Sequence, residues 1–361
     1  MIRIDEIYQN VFLPLVAKKP YHSIHWFDPF GSVKFRDLCS APPISSALPS
    51  DPTKPNHAVV RYLFWDQEPL HDETTNQTLT EFTRIFNTGK KHIVVSEFSS
   101  QYVKNIQERH GFTPHYYFFH AWAALDWFRG YDRTHLSIPF QNRNIEKTFL
   151  CPNNIVGGKR VHRLKLFSEL VRNNLINDNF ISFPNHCPHE NKSVADLCLE
   201  NNISLGKIDL PLIIDKKRNF HNHSHCIDLW NEANRSLLQV VTETVYTGQR
   251  QHLTEKTFKP IVMQQPFILV SCRGSLEYLK RYGFQTFGNF WEEEYDELDD
   301  DCRISAIAKL LVDINSLSKK EKQQLQRKIA PIVEYNHKWF YSREFEQLLW
   351  KEMCGILENF K

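Results

Sequence analysis

Charged and hydroxyl side chains cluster in residues 241–260, VTETVYTGQRQHLTEKTFKP. An apolar strand ends at Glu243, a polar loop follows, and Thr254 is placed to cap a helix that begins with Glu255 and Lys256. A helix N-terminus favours phosphate, and a lysine beside it adds a full positive charge. The two carboxylates can accept hydrogen bonds from ribose hydroxyls. A capped surface helix with a solvated Lys256 is the simpler alternative, and residue types alone favour it.

A second acidic motif, DQEP at 66–69, follows the apolar run 58–65. Its carboxylates should project at the carboxyl end of a sheet, where ligands bind in open α/β folds. Glu68, our first choice, or Asp66 would serve there as a general base that takes a proton from a hydroxyl. A turn in which Asp66 hydrogen-bonds its own backbone explains the motif equally well.

Weaker candidates lie among aromatic residues and histidines. Asp126, His120 and Trp127 belong to the aromatic run 115–129, and aromatic faces stack on sugars and bases. A core helix in which Asp126 pairs with an arginine three residues on is the favoured interpretation. Histidines and cysteines also cluster at 185–189 and 220–226, but their spacing matches no zinc motif, so we predict no metal site.

The elements that must position these residues follow from length and patterning. A chain of 361 residues suits two domains. Apolar runs of strand length alternate with helical spacing in both halves, which predicts an α/β fold with parallel sheets covered by helices. We predict domains at 1–140 and 141–335, joined in the polar stretch 130–147, and a C-terminal helix at 336–361 that packs on the first domain. The predicted strands cover 58–65, 91–100, 146–154, 180–184, 235–246 and 265–271, and long helical stretches cover 304–329 and 337–359.

Composition excludes several classes of protein. The net charge of +2, from 44 basic and 42 acidic residues, gives no support to a histone-like polycation. We find no signal-peptide pattern and no apolar run long enough to span a bilayer, and the eight cysteines are scattered. We therefore expect a cytoplasmic protein with reduced thiols and no integral membrane segment. The absence of GxGxxG, P-loop and GxSxG motifs argues against common dinucleotide, NTPase and serine hydrolase sites.

Several of these segments resemble a known family. VTETVY and HLTEKTFKP are similar to the donor-binding segment of the α-1,3-fucosyltransferases and related GT-B glycosyltransferases. QPFILVSCRGSLEYLKRYGF resembles the next strand and helix of that domain, and CPNNIVGGKRVHRLKLFSEL resembles its strand, its Asn-containing turn at Asn153 and its Arg-bearing helix. The chain also resembles uncharacterised glycosyltransferase-like proteins of bacteria and their phages. The similarity covers residues 150–290, the C-terminal half.

The resemblance implies a GT-B architecture, in which two Rossmann-like domains face a central cleft, and an inverting sugar transfer that needs no metal. It assigns the ribose to Glu255 and the diphosphate to Lys256. Arg163, with Arg160 as its substitute in another register, would be the second phosphate cation, and Glu243 would lie near the sugar or ribose. The TGQRQH loop departs from the family, so the base and the sugar stay open.

These expectations combine into one function with two rivals. We predict a glycosyltransferase whose donor is a nucleoside diphosphate sugar, without a cofactor, and whose acceptor is a surface glycan or a hydroxylated DNA base. A non-catalytic module that binds glycans or nucleotide sugars is the main alternative. A metal-dependent nuclease ranks last, since no lysine has a sensible spacing to its carboxylates, which are Asp66, Glu68, Asp72 and Glu73. The stereochemical outcome and the oligomeric state stay open.

Overall fold

A computed structural model of the protein describes residues 7–14, 22–27, 35–37, 60–98, 100–134, 138–214 and 225–359. The chain forms two compact units, one from Met1–Asp126 with Glu346–Lys361 and the other from Trp127–Phe345. The division therefore follows Asp126, whereas we predicted a boundary at residue 140. The end of the C-terminal helix belongs to the first unit.

The first unit is built on a five-stranded sheet of order β2-β1-β3-β4-β5, in which the short β2 is the only antiparallel neighbour among the described strands. A π-helical turn, Ile7–Phe12, precedes the sheet. Apolar side chains from the strands and two helices form its core, among them Leu63, Phe82, Ile93 and Phe112. Its elements are β1 His22–Phe27, β2 Phe35–Asp37, β3 Val60–Trp65, α1 Asp72–Ile85, β4 Lys90–Val95, α2 Gln101–His110, β5 Phe112–Tyr116 and α3 Phe119–Trp127.

The second unit is built on a four-stranded parallel sheet of order β11-β10-β6-β7. Its central strand β10 is buried at every position. Its strands are β6 Lys147–Pro152, β7 Phe180–Ser182, β10 Ser236–Thr242 and β11 Phe267–Val270, with a separate small hairpin of β8 His186–Cys187 and β9 Lys192–Ser193. Its helices are α4 Tyr131–Thr134, α5 Val161–Arg172, α6 Val194–Glu200, α7 Trp230–Arg235, α8 Glu255–Val262, α9 Ser275–Arg281, α10 Asp300–Ser316 and α11 Lys319–Phe340, and α12 Arg343–Asn359 leads back to the first unit.

The predicted α/β class with parallel sheets is confirmed. The predicted helical stretches 304–329 and 337–359 are mostly helical, but the helices break elsewhere, since 304–329 is divided between α10 and α11. Ser318 begins α11 with a capping box, in which its side chain accepts from the backbone of Glu321 and the Glu321 carboxylate accepts from the backbone N–H of Ser318. This reciprocal pair satisfies two free N–H groups and so favours a new helix at that point.

Over the described part of the chain, no helix combines the length and the apolar character that crossing a bilayer requires.

Candidate functional site

An open cavity of about 280 Å³ lies in the second unit, where β6 and β10 end, and we call it the strand-end cavity. In open parallel sheets, ligands bind at this edge. Five of the seven residues that we predicted to bind a donor line it, namely Asn153, Arg160, Arg163, Glu255 and Lys256. The structure therefore brings together residues that are up to 103 positions apart in the sequence, from 153 to 256.

Arg163 contributes a buried positive charge to the cavity wall. The residue is 5% exposed, its Nη1 donates to the Ile155 carbonyl at 2.8 Å, and its Nη2 donates to the carbonyls of Thr242 and Glu243 at 2.9 and 3.0 Å. Its Nε has no hydrogen-bond partner, and no described carboxylate forms an ion pair with it. Burial, followed by repulsion from Arg160, lowers the pKa of Arg163 to about 10, which still leaves it charged at neutral pH. The charges of Glu243 and Glu255 attract Arg163 and oppose this shift, although neither carboxylate forms an ion pair with it. A buried cation whose hydrogen bonds go to carbonyl oxygens is suited to an anionic ligand.

Lys256 and Glu255 form the first turn of α8 at the rim of the cavity. As predicted, Thr254 is the N-cap, and its hydroxyl accepts from the Lys256 backbone N–H. Lys256 Nζ donates to a Glu255 carboxylate oxygen at 2.8 Å and to the hydroxyls of Thr244 and Thr254 at 3.2 and 3.3 Å. The Lys256 side chain is 32% exposed and that of Glu255 only 5% exposed. The ammonium group can therefore reach a ligand while its paired carboxylate stays in the wall.

Glu243 lies behind this turn rather than in the cavity, although we predicted it beside the sugar or ribose. It is fully buried, and its carboxylate accepts four hydrogen bonds. The donors are the backbone N–H groups of Thr244 and Thr254, at 3.2 and 3.1 Å, and the hydroxyls of Thr254 and Thr257, both at 2.6 Å. The carboxylate thus ties the end of β10 to the start of α8. This geometry makes Glu243 and Thr254 positioning residues for Glu255 and Lys256.

Asn153 holds the floor of the cavity together. Its Oδ1 accepts from the Thr242 hydroxyl at 2.7 Å, and its Nδ2 donates to Cys151 Sγ at 3.3 Å. The backbone N–H of Asn153 also reaches Ser182 at the end of β7. Asn153 therefore links β6 to β10 through its side chain and to β7 through its backbone, and its side-chain amide is already used by the protein.

The charged side chains that line the cavity give it a positive balance. Four are cationic and two are acidic, a net +2: Arg160, Arg163, Lys256, Lys259, Asp228 and Glu255. Together with the N-terminus of α8, this balance suits an anionic ligand.

No protein-family model matches the chain. No curated protein matches it either. The function has to be argued from this site, and the resemblance to the fucosyltransferases rests on the motifs quoted above.

The acidic motif of the first unit lies at the carboxyl end of its sheet, as predicted. Asp66 directly follows β3 and is fully buried, and its Oδ2 accepts from the hydroxyls of Tyr8 and Tyr117, both at 2.6 Å. Burial raises the pKa of Asp66 to about 6, although these hydrogen bonds oppose the shift. Glu68 is half-buried. Of our two candidate bases, Glu68 is therefore the one with solvent access.

The buried Asp66 carboxyl should make stability depend on pH. Its pKa of about 6 lies above that of an unfolded aspartate, about 3.9, so the folded protein binds the proton more tightly. Relative to Asp66→Asn, the wild type should lose about 2 kcal/mol of unfolding free energy as pH rises from 4 to 6. Urea unfolding of both proteins between pH 4 and 7 measures this difference. If the unfolding free energies of the two proteins changed with pH in the same way, the Asp66 carboxyl would not have a raised pKa in the folded protein.

The weaker acceptor-binding candidates lie away from the lining of the strand-end cavity. His120 lies in α3, where every residue from Phe119 to Leu125 is buried, so the core-helix interpretation holds for it. Asp126 and Trp127 are half-buried, and Trp127 packs edge-on against His225 with ring centroids 6.4 Å apart. None of the three lines the strand-end cavity.

Within the described ranges, no three His, Cys, Asp or Glu side chains come close enough to hold a metal ion. Residues 220–224 of the histidine-rich segment lie outside the described residues. The acidic run near residue 300 is a helix start, because Asp299 caps α10 by accepting from the Cys302 backbone N–H at 3.0 Å.

Lys259 and Gln239 are among the polar residues of the cavity that we did not predict. Lys259 follows Lys256 by three positions on α8, a spacing that puts both on one helix face, and its Nζ donates to the Cys226 carbonyl at 2.9 Å. Gln239 lies inside the otherwise apolar stretch LLQVV of β10. A polar residue in the middle of an otherwise apolar strand was the sequence signal that could have identified Gln239.

Proposed function

We propose that the protein is a glycosyltransferase that takes its sugar from a nucleoside diphosphate donor bound in the strand-end cavity. The observation that carries the proposal is the buried guanidinium of Arg163, which has no carboxylate partner among the described residues and lies in one cavity with Lys256 and the N-terminus of α8. That arrangement suits a diphosphate. The sugar and the GT-B arrangement of the domains come from the resemblance of the motifs.

The proposal gives a role to each residue that we predicted to bind the donor. Lys256 and Arg163 bind the diphosphate, with Arg160 at the rim, and Glu255 accepts from the ribose hydroxyls. Glu243, Thr254 and Asn153 hold these side chains in position. As the bond between the anomeric carbon and the phosphate oxygen breaks, negative charge grows on the diphosphate, and fixed cations lower the energy of that state. These cations can serve the leaving group without a metal.

In the same proposal, a carboxylate of the first unit takes the proton from the acceptor hydroxyl, and inversion follows from the resemblance. Glu68 is the first candidate, since Asp66 is enclosed by two tyrosines. The acceptor is a glycan or a hydroxylated DNA base. A DNA acceptor would show itself by affinity that falls steeply with salt.

Glu68→Gln is expected to lower the release of nucleoside diphosphate from the donor at least a hundredfold, because general base catalysis typically contributes that much. Binding of the nucleoside diphosphate should not change. The measurement is donor turnover over a panel of nucleotide sugars, with glycan acceptors and with DNA containing hydroxymethylated bases as separate arms.

The exposed Glu73 on α1 supplies a matched control, because Glu73→Gln makes the same chemical change five residues away. It should leave turnover unchanged. Equal rates for wild type and Glu68→Gln would remove Glu68 as the base. Tight nucleotide binding with no turnover of any donor would favour the non-catalytic binding module.

A further inference from the structure

Gln239 is a buried amide that the roles above do not use. It lies in the middle of β10 between apolar neighbours, is 5% exposed and lines the strand-end cavity. Its Oε1 is shielded from solvent and has no hydrogen-bond partner. A buried acceptor without a partner carries a cost, and here it belongs to a residue of the cavity lining, so it indicates a missing donor.

The position of Gln239 along the strand matches the length of a nucleoside. It precedes Thr242, at the end of β10, by three residues, or about 10 Å at about 3.3 Å per residue. Thr242 in turn accepts from the Arg163 guanidinium at the proposed diphosphate position. A nucleoside would span the distance from that cation to the Gln239 amide.

The lining of the cavity combines apolar residues with its charged ones. Ile227, Leu229, Val241 and Met263 line the same cavity as Gln239 and offer apolar surface to a flat ring. An apolar chamber with one convergent polar group is the usual form of a small-molecule site, in which the polar group sets the specificity.

We propose that Gln239 reads the nucleobase of the bound nucleotide through hydrogen bonds from its side-chain amide. This inference rests on the proposed function, and it names the residue that selects among nucleotide donors. A base with a ring N–H or an exocyclic amino group donates to the Gln239 Oε1, and the amide Nε2 donates to a neighbouring acceptor on the same base edge. Each base presents such a pair at a different place on its edge, so the fixed Gln239 amide favours the base whose pair meets it. A base whose pair lies elsewhere leaves buried polar groups unpaired and binds more weakly.

The test compares the affinities of UDP, GDP, CDP, dTDP, ADP and inorganic pyrophosphate for wild type and Gln239→Met, which keeps the side-chain length and removes the amide. We expect wild type to prefer one base, and the variant to lose at least tenfold affinity for that nucleotide while binding pyrophosphate as before. Gln239→Asn, which keeps the amide but shortens the side chain by one methylene, is the second variant should the first not fold. It should lose the preference in the same way.

Gln265 offers a matched control. It is a buried glutamine outside the cavity lining whose Nε2 donates to the Ser236 hydroxyl at 2.7 Å, so Gln265→Met should leave the ranking of bases unchanged. An unchanged ranking in both Gln239 variants, or a wild type without a base preference, would overturn the inference alone. A wild type that binds neither pyrophosphate nor any nucleotide would overturn the proposed function and this inference with it.

Discussion

Lys256→Ala is expected to weaken the binding of nucleoside diphosphates about tenfold to a hundredfold. A hydrogen bond to a charged group contributes about 1.5–3 kcal/mol, and the alanine would also leave the Glu255 carboxylate at the rim without its ion-pair partner. Because the Glu255 side chain is only 5% exposed, the loss of its ion-pair partner should also lower the free energy of unfolding, so stability is measured beside affinity. Calorimetric titration gives the affinity, and a urea transition gives the stability.

Lys280 is a suitable control for this variant. It is exposed in the last turn of α9 and does not line the strand-end cavity, so Lys280→Ala removes the same charge elsewhere in the second unit. We expect it to leave the affinity unchanged. Equal affinities for wild type and Lys256→Ala would show that this lysine does not bind the diphosphate.

Glu243→Ala is expected to have the largest effect on stability, a loss of about 4 kcal/mol in the free energy of unfolding. The carboxylate is fully buried and accepts two backbone N–H and two hydroxyl hydrogen bonds, and each buried donor left unpaired costs about 1–3 kcal/mol. Some of that cost is recovered as hydroxyls reorient. Urea unfolding of the purified variant measures the loss.

Two milder substitutions remove fewer of the hydrogen bonds to the Glu243 carboxylate. Glu243→Gln keeps one acceptor oxygen and should lose about half as much, and Thr257→Val removes a single donor at a cost of about 1 kcal/mol. A stability near that of wild type for Glu243→Ala would contradict the positioning role. It would reopen the prediction that Glu243 contacts a ligand.

The order of elements could be predicted where the residues that decide it are neighbours in sequence. The run AVVRYLFW gave β3, Gly111 ends α2 in the left-handed conformation that glycine favours, and Thr254 caps α8. The signal for the division at Ser318 is also local, because Ser318 is followed three residues later by Glu321. Helical apolar spacing continues on both sides of it, so the break was not predicted.

The roles of Glu243 and Asp66 could not be predicted from their neighbours in the sequence. Strand alternation does not say whether the carboxylate after β10 faces a ligand or its own loop, and the donors that occupy Glu243 come from up to 14 residues away. The tyrosines that enclose Asp66 lie 58 and 51 residues from it. Such partners follow from tertiary packing, so sequence identified the acidic residues but not which of them would be enclosed.

Titration of the wild-type protein with pyrophosphate and the five nucleoside diphosphates, in the presence of a chelator, tests the central claim most directly. The account predicts that pyrophosphate binds, that at least one nucleoside diphosphate binds more tightly, and that neither needs a divalent metal. The absence of binding by every member of the panel, with and without Mg²⁺, would contradict a diphosphate site in the strand-end cavity.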